Sequence, residues 1–186
     1  MSDNIAQIDD SYFSDYGGGA YSDTYSKYTY HPQTILMNLI SEKIPVDTIL
    51  DAGCASGELV KDLRNLGVKS YGIENNREIL KKSVIPKFCL YMDLNDLSSI
   101  KDKSFSVVYS NACMYLRPQN IVKVLKEFNR ICSHAVFLCN PMLGESDPLD
   151  DLYRAFLASP EWWAEKFKEA GFKKLTKEIY VKESSY

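Results

Sequence analysis

Short apolar runs alternate with amphipathic segments along the chain from residue 31 onward. The apolar runs predict strands over residues 46–51, 68–74, 88–92, 105–110 and 135–139. Between most of them, apolar residues recur at the three- and four-residue spacing of a helix that covers a core. Strands that alternate with helices form parallel βαβ units, and continuous apolar strands are typical of a sheet covered on both faces. The pattern predicts an α/β fold with a doubly wound, mostly parallel sheet of six or seven strands. Its ligands are expected at the carboxyl ends of those strands.

The chain divides into two regions of different composition. Its 186 residues allow one domain with a short appendage. Residues 1–30 form a Tyr/Gly-rich leader with five Asp and six of the 13 tyrosines, and residues 31–186 form the ligand-binding domain. The three glycines at 17–19 disfavour a stable helix or strand there. The leader is therefore either a flexible extension or a lid whose tyrosines, such as Tyr21 and Tyr25, close over a ligand.

Charge and cysteine spacing exclude several classes of protein. The net charge of −3 argues against a strongly basic nucleic-acid binder. The five cysteines form no Cys-x-x-Cys pair, which argues against a disulfide framework or a zinc ribbon. His31 and His134 are far apart in sequence, so we expect no metal site. No signal-like or membrane-spanning apolar run is present, and we expect a soluble, cytoplasmic protein without membrane contact.

A turn of small residues follows the first predicted strand and precedes a helix. Asp51 closes the strand, and Gly53, Ala55 and Gly57 recur at every second position after it. Small residues at this spacing let the backbone pass close to a ligand at a helix N-terminus. The turn is therefore the main candidate for a nucleotide-type ligand.

The residues after the turn exclude some classes of nucleotide-type ligand. A phosphate-binding P-loop needs Lys and Ser/Thr after its last glycine, where Glu58 and Leu59 stand. A pyrophosphate-binding turn needs a small residue at the position of Glu58, whose charge would repel phosphate. The remaining candidate is S-adenosylmethionine, which has a ribose and an adenine but no phosphate. Its ammonium and sulfonium charges suit an acidic turn.

The segment 50–57, Leu-Asp-Ala-Gly-Cys-Ala-Ser-Gly, resembles the first motif of class I S-adenosylmethionine-dependent methyltransferases. The family pattern is acid-x-Gly-x-Gly-x-Gly, and Ala55 replaces its middle glycine here. A methyl group at that position is a mild change. The resemblance implies cofactor contacts from Asp51, Gly53, Cys54, Ala55 and Gly57.

Further segments resemble the same family in the expected order. Glu74 ends the second strand, 23 residues after Asp51, where a carboxylate can accept hydrogen bonds from both ribose hydroxyls. Asp93 follows the third strand, where the family places an Asp beside the adenine amino group. Residues 105–111 are similar to its fourth strand and polar exit, and residues 161–172 to the helix and turn before its sixth strand. The resemblance implies further cofactor contacts from Glu74, Asn75, Asp93, Leu94 and Asn111, with Tyr21 and Tyr25 added by a closed lid.

The implied reaction is transfer of a methyl group from S-adenosylmethionine to a nucleophile, which depends mainly on holding the two reactants in line. Asn111, Tyr115 and His31 are the candidates for orienting the acceptor. The Asp-Pro-Pro-Tyr-type motif of nucleic-acid amino methyltransferases is absent, and so is any Pro-Cys pair. We therefore expect a small-molecule substrate and a monomer or homodimer. The alternatives are a non-catalytic cofactor-binding or regulatory protein, and another enzyme that consumes the same cofactor, such as a lyase.

The family sheet usually has seven strands and ends in an antiparallel hairpin. The extended stretch 172–181 has room for one strand or a very cramped pair. We therefore expect the last strand to be missing or the hairpin to be trimmed.

Overall fold

A computed structural model describes residues 31–140 and 155–183 of the chain. The strands of these residues are β1 (Thr48–Ala52), β2 (Lys69–Glu74), β3 (Cys89–Tyr91), β4 (Phe105–Ser110), β5 (Cys132–Leu138), β6 (Phe172–Lys174) and β7 (Ile179–Lys182). Within the described parts they form one sheet in the order β3-β2-β1-β4-β5-β7-β6. The first five strands pair in parallel, whereas β7 is antiparallel to both β5 and β6. The predicted doubly wound α/β sheet is confirmed.

The helices of the described residues are α1 (Pro32–Ser41), α2 (Glu58–Asn65), α3 (Arg77–Lys81), α4 (Ile121–Ile131) and α5 (Pro160–Glu169). Alternate residues of the central strands pack against α4 and α5 on one face and against α1 and α2 on the other. Local sequence fixes several helix starts. The Ser159 side chain accepts a hydrogen bond from the Trp162 amide and Pro160 occupies the first turn, so α5 begins at Pro160.

Of the two alternatives for the end of the sheet, the structure shows the trimmed hairpin, because β6 and β7 are short antiparallel strands and the last strand is present. The connection between β6 and β7 is short. The amides of Leu175 and Thr176 donate to the Ile179 carbonyl, and Thr176 Oγ1 accepts from the amides of Glu178 and Ile179. These bonds satisfy a tight turn between two short strands.

The boundary between α4 and β5 also differs from the prediction. The sequence predicts this strand from residue 135, but β5 begins three residues earlier, at Cys132. Helix and strand follow each other without a loop. The buried Lys182 Nζ donates to the carbonyls of Asn129 and Cys132, so a cation stabilises the carboxyl end of α4.

The predicted leader, residues 1–30, lies outside the described residues, as do residues 141–154 between β5 and α5. In the parts that the structure describes, no helix has the length and apolar character needed to span a membrane.

Candidate cofactor site

The turn between β1 and α2 has an unusual backbone. Gly53, Ala55 and Gly57 all have positive φ angles, of 91°, 48° and 83°. The amides of Gly53 and Cys54 both donate to the Ile73 carbonyl of β2, at 2.9 and 3.0 Å. The turn is therefore fixed to the end of the neighbouring strand. Ala55, at the family's middle glycine, adopts a left-handed conformation that costs a residue with a side chain more than it costs glycine.

Close packing explains part of the glycine pattern. A Cβ at Gly53 would lie 2.3 Å from Ala112 Cβ, just past β4, and a Cβ at Gly57 would lie 2.5 Å from Cys89 Sγ of β3. Both glycines therefore allow the turn to contact the ends of neighbouring strands. Because β1 to β4 pair in parallel, their exits lie at one edge of the sheet.

Glu74 joins the turn to β2 through both of its carboxylate oxygens. Oε2 accepts from the Ala55 amide at 3.0 Å and Oε1 from the Asn76 amide at 2.9 Å. Burial raises the pKa of Glu74, and these backbone bonds, with one from Asn75, oppose the rise. Each carboxylate oxygen retains capacity for a further hydrogen bond. A pair of ribose hydroxyls matches that remaining capacity.

Asp51 is the second buried acid of the site. The residue is 4% exposed, and burial raises the pKa of its carboxyl well above the usual value. The neighbouring Cys89 and Glu74 raise that pKa further through their negative charges. Two buried acids close enough to repel each other favour a cationic ligand, because a nearby positive charge stabilises their ionised forms. The ammonium and sulfonium of S-adenosylmethionine supply positive charge of this kind.

Cys54 has its backbone in the turn and its thiol in the sheet. The thiol packs with Cys89 and Val60, and a Cβ at Gly72 would lie 2.5 Å from Cys54 Sγ. Hydrogen bonds, first from Cys54 and then from Ser83, lower the pKa of Cys89 to about 7 against an opposing effect of burial. The small Cys54 side chain therefore contributes to packing beneath the turn.

The end of β3 lies beside Glu74. The Met92 amide donates to the Glu74 carbonyl at 3.0 Å, which brings Asp93 and Leu94 to the same edge. Asp93 is exposed, and its Oδ1 accepts from the amide and side chain of Asn95 at 2.8 and 2.9 Å. Leu94 is buried. The pair thus offers a carboxylate with a fixed orientation next to an apolar side chain.

The exit of β4 is tied to both neighbouring strands. Ser110 Oγ donates to the Ala52 carbonyl at 2.9 Å, and the Cys139 amide donates to the Ser110 carbonyl at 2.9 Å. Asn111 follows, half-buried, and Tyr115 ends the short 3-10 helix Cys113–Tyr115. Two of the three predicted acceptor-orienting residues, Asn111 and Tyr115, therefore lie in the segment that follows β4.

His31 is the N-cap of α1, and its Nδ1 accepts from the Gln33 amide at 3.4 Å. This capping role is visible in the sequence as a residue just before Pro32. Tyr21 and Tyr25 lie outside the described residues. Of the described residues, no three His, Cys, Asp or Glu side chains form a group that could hold a metal ion.

Sequence reasoning did not select Asn140, which follows β5. It is 7% exposed, and both its Nδ2 and Oδ1 atoms are buried without a hydrogen-bond partner among residues 31–140 and 155–183. A buried polar group without a partner costs about 1–3 kcal/mol of stability. The only signal in the sequence is a polar residue at a strand exit next to that of Asn111.

Comparison with known proteins agrees with this geometry. The family model for a methyltransferase domain matches residues 50–139, from β1 to the residue after β5. No curated protein sequence gives a significant match. The structure is similar to a solved S-adenosylmethionine-dependent methyltransferase from Archaeoglobus fulgidus, with 20% identity and a TM-score of 0.60. That match covers 80% of this chain and 72% of the other.

Two further solved structures share the fold. The magnesium protoporphyrin IX methyltransferase of Synechocystis with bound S-adenosylhomocysteine matches at 15% identity and a TM-score of 0.64. That match covers 92% of this chain and 96% of the other. A methyltransferase from Haloferax volcanii, solved with a methyltransferase activator protein, matches at 20% identity and a TM-score of 0.57. It covers 75% of this chain and 68% of the other.

The seven-stranded sheet with its acidic, glycine-containing turn defines a Rossmann-like cofactor-binding protein. Residues 50–139 match a methyltransferase domain, and the fold is shared with solved S-adenosylmethionine-dependent methyltransferases. The domain match supports a methyltransferase, and the shared fold is consistent with S-adenosylmethionine as its cofactor.

Proposed function

We propose that the protein methylates a small molecule at the edge of the sheet formed by the exits of β1 to β5. The observation that carries this proposal is the pair of buried carboxyls, Asp51 and Glu74, beside a turn with three positive φ angles. The near-neutral charge supports a small acceptor, because nucleic-acid binding relies on clustered basic residues.

We propose that the first three strands hold the cofactor. Glu74 accepts the ribose hydroxyls, and Asp51 provides negative charge near the cationic end. Asp93 lies beside the adenine amino group, and Leu94 contacts the adenine ring. The backbone of the turn at 53–57 and Asn75 complete the binding surface. Glu74 is suited to its role because backbone amides already fix both of its oxygens.

We propose that the exit of β4 positions the acceptor. S-adenosylmethionine supplies a methyl group that its sulfonium already activates, so the chain's own task is to align the acceptor and exclude water. Alignment of two reactants is worth about 7–11 kcal/mol of barrier in favourable cases. Asn111 and Tyr115 orient the acceptor from the segment after β4, and His31 is a further candidate from the start of α1.

We further propose a cytoplasmic protein that acts as a monomer or homodimer. The five cysteines Cys54, Cys89, Cys113, Cys132 and Cys139 are free thiols. Free thiols are typical of proteins in a reducing compartment.

Transfer from methyl-labelled S-adenosylmethionine in a cell extract tests the proposed acceptor class. The purified protein is incubated with extract, and the label is then measured in the small-molecule, protein and nucleic-acid fractions. We expect the label in the small-molecule fraction, at wild-type level for Asp47→Asn and strongly reduced for Glu74→Gln. Asp47 is an exposed acid just before β1, at the opposite end of that strand from Asp51. Label in the protein or nucleic-acid fraction, or cleavage of the cofactor without a methylated product, would contradict the proposal.

A further inference from the structure

Asn140 and Asn129 differ in the hydrogen bonding of their side-chain amides. Asn129 Nδ2 donates to the carbonyls of Ala170 and Gly171, both at 3.0 Å, and thereby joins α4 to the end of α5. Asn140 is more than nine-tenths buried, yet neither its amide nitrogen nor its amide oxygen has a partner in the described parts of the chain. Buried polar side chains are normally hydrogen-bonded, so an exception calls for a functional explanation.

The position of Asn140 in the sheet suggests that explanation. β4 and β5 are parallel neighbours, with Ser110 opposite Leu138, and the Cys139 amide still bonds to the Ser110 carbonyl. The chain therefore leaves β5 alongside the exit of β4. Asn111 and Asn140 each come directly after one of these bonded residues. In a doubly wound sheet, this edge is where ligands bind.

We propose that Asn140 binds the methyl acceptor through its carboxamide and determines which acceptors are used. This inference rests on the proposed small-molecule methyltransferase function and deepens it. A carboxamide presents both donors and an acceptor, and it carries no charge. The acceptor class that it fits is a molecule with an uncharged group that both donates and accepts hydrogen bonds, such as a hydroxyl or a carboxamide.

The cost of burial strengthens the inference. An unpartnered amide destabilises the protein without ligand, and a bound acceptor restores the missing hydrogen bonds. Sites built this way reject analogues that lack the hydrogen-bonding group, by factors of about 10⁴–10⁵ in favourable cases. Asn140 is therefore expected to affect the choice of acceptor and to leave cofactor affinity unchanged.

The test replaces each asparagine with leucine, which has a similar shape but no polar atoms. Asn140→Leu is expected to melt at or above the wild-type temperature and to bind S-adenosylhomocysteine with wild-type affinity. Its transfer of label to the small-molecule fraction of extract should fall at least tenfold. Its apparent KM for that fraction should rise, and its KM for S-adenosylmethionine should stay unchanged. Asn129→Leu should show the opposite pattern, with a lower melting temperature and wild-type transfer below that temperature.

Each other outcome overturns the inference. A clear fall in the melting temperature of Asn140→Leu would show that the amide has a structural partner within the chain. Unchanged transfer by that variant would show that the amide does not contact the acceptor. Failure of the proposed function is visible separately in the wild type, as absence of S-adenosylhomocysteine binding or of label in the small-molecule fraction. Either result would also contradict the inference about Asn140, because that inference rests on the proposed function.

Discussion

The exits of β2 and β5 hold polar side chains in opposite states. Glu74, at the end of β2, is fixed by backbone amides on both oxygens, whereas Asn140, after β5, has no partner among the described residues. The first side chain is oriented before any ligand binds. The second has hydrogen-bonding groups that no described residue satisfies. The comparison supports the proposed division into an acidic, preorganised cofactor half and a neutral acceptor half.

The largest expected effect is on cofactor affinity at Glu74. Glu74→Gln removes the negative charge. It also places an NH₂ group, which cannot accept a hydrogen bond, opposite one of the two backbone amides that donate to the Glu74 carboxylate. We expect affinity for S-adenosylhomocysteine, measured by calorimetry, to fall about 100-fold, which corresponds to about 2.7 kcal/mol. A loss below threefold would contradict the preorganised role of Glu74 and remove the contrast with Asn140.

Gly53→Ala should disturb both halves at once. The added Cβ would meet Ala112 Cβ at 2.3 Å, and the backbone φ of 91° is unfavourable for alanine. We expect a loss of about 1–3 kcal/mol in the free energy of unfolding, measured with a chemical denaturant. A second substitution, Ala112→Gly, restores the space but leaves the backbone strain, so the double variant should recover only part of the loss. Simple additivity of the two changes would show that the turn and the β4 exit are not in contact.

The pH dependence of stability tests the burial of Asp51. The pKa of Asp51 is raised in the folded state, so that state binds more protons than the unfolded chain. Stability from this group is therefore lost as pH rises from the unfolded pKa, about 4, through the folded value. Asp51→Asn removes this loss. We measure the melting temperature of Asp51→Asn minus that of the wild type, both without cofactor. This difference should increase with pH across that window, so it should be smallest at the acid end.

The smallest expected effect is on the reactivity of the Cys89 thiol, which packs against Cys54. Cys89 has a pKa of about 7, and the hydrogen bond from Cys54 is its largest cause. Because the thiolate is the reactive form, alkylation of Cys89 by iodoacetamide should rise with pH through a midpoint near 7. Cys54→Ala should move that midpoint to higher pH, as followed by mass spectrometry of the peptide that contains Cys89. An unmoved midpoint would show that Cys54 does not donate to Cys89.

Much of the fold could be predicted because the covered parallel strands are continuous apolar runs. The bounds of β4, residues 105–110, coincide with the prediction. The start of β5 was placed too late because Ser133 and His134 interrupt its apolar run, at a point where the pairing with β4 shifts register. The sequence could not decide between one final strand and a short hairpin, because the turn is satisfied by local hydrogen bonds that require no glycine or proline signal.

Some features of the candidate site could likewise be predicted from the sequence, and others could not. Asp51 and Glu74 could be selected because they end strands at a spacing that resembles a known family. That Gly53 and Gly57 are required for packing could not be predicted, because the contacts come from Ala112 and Cys89, which are distant in sequence. Asn140 was missed because a single polar residue after a strand is typical of an ordinary turn. Only the structure reveals its burial and its lack of partners among the described residues.

The most direct test of the central claim compares two identical substitutions at opposite ends of one strand. Asp51→Asn and Asp47→Asn are titrated with S-adenosylhomocysteine by calorimetry, and their folding is checked by thermal melting. Asp51→Asn should lose at least tenfold in affinity while it remains folded, and Asp47→Asn should bind like the wild type. Equal affinities for the two folded variants would contradict the assignment of the acidic edge as the cofactor site.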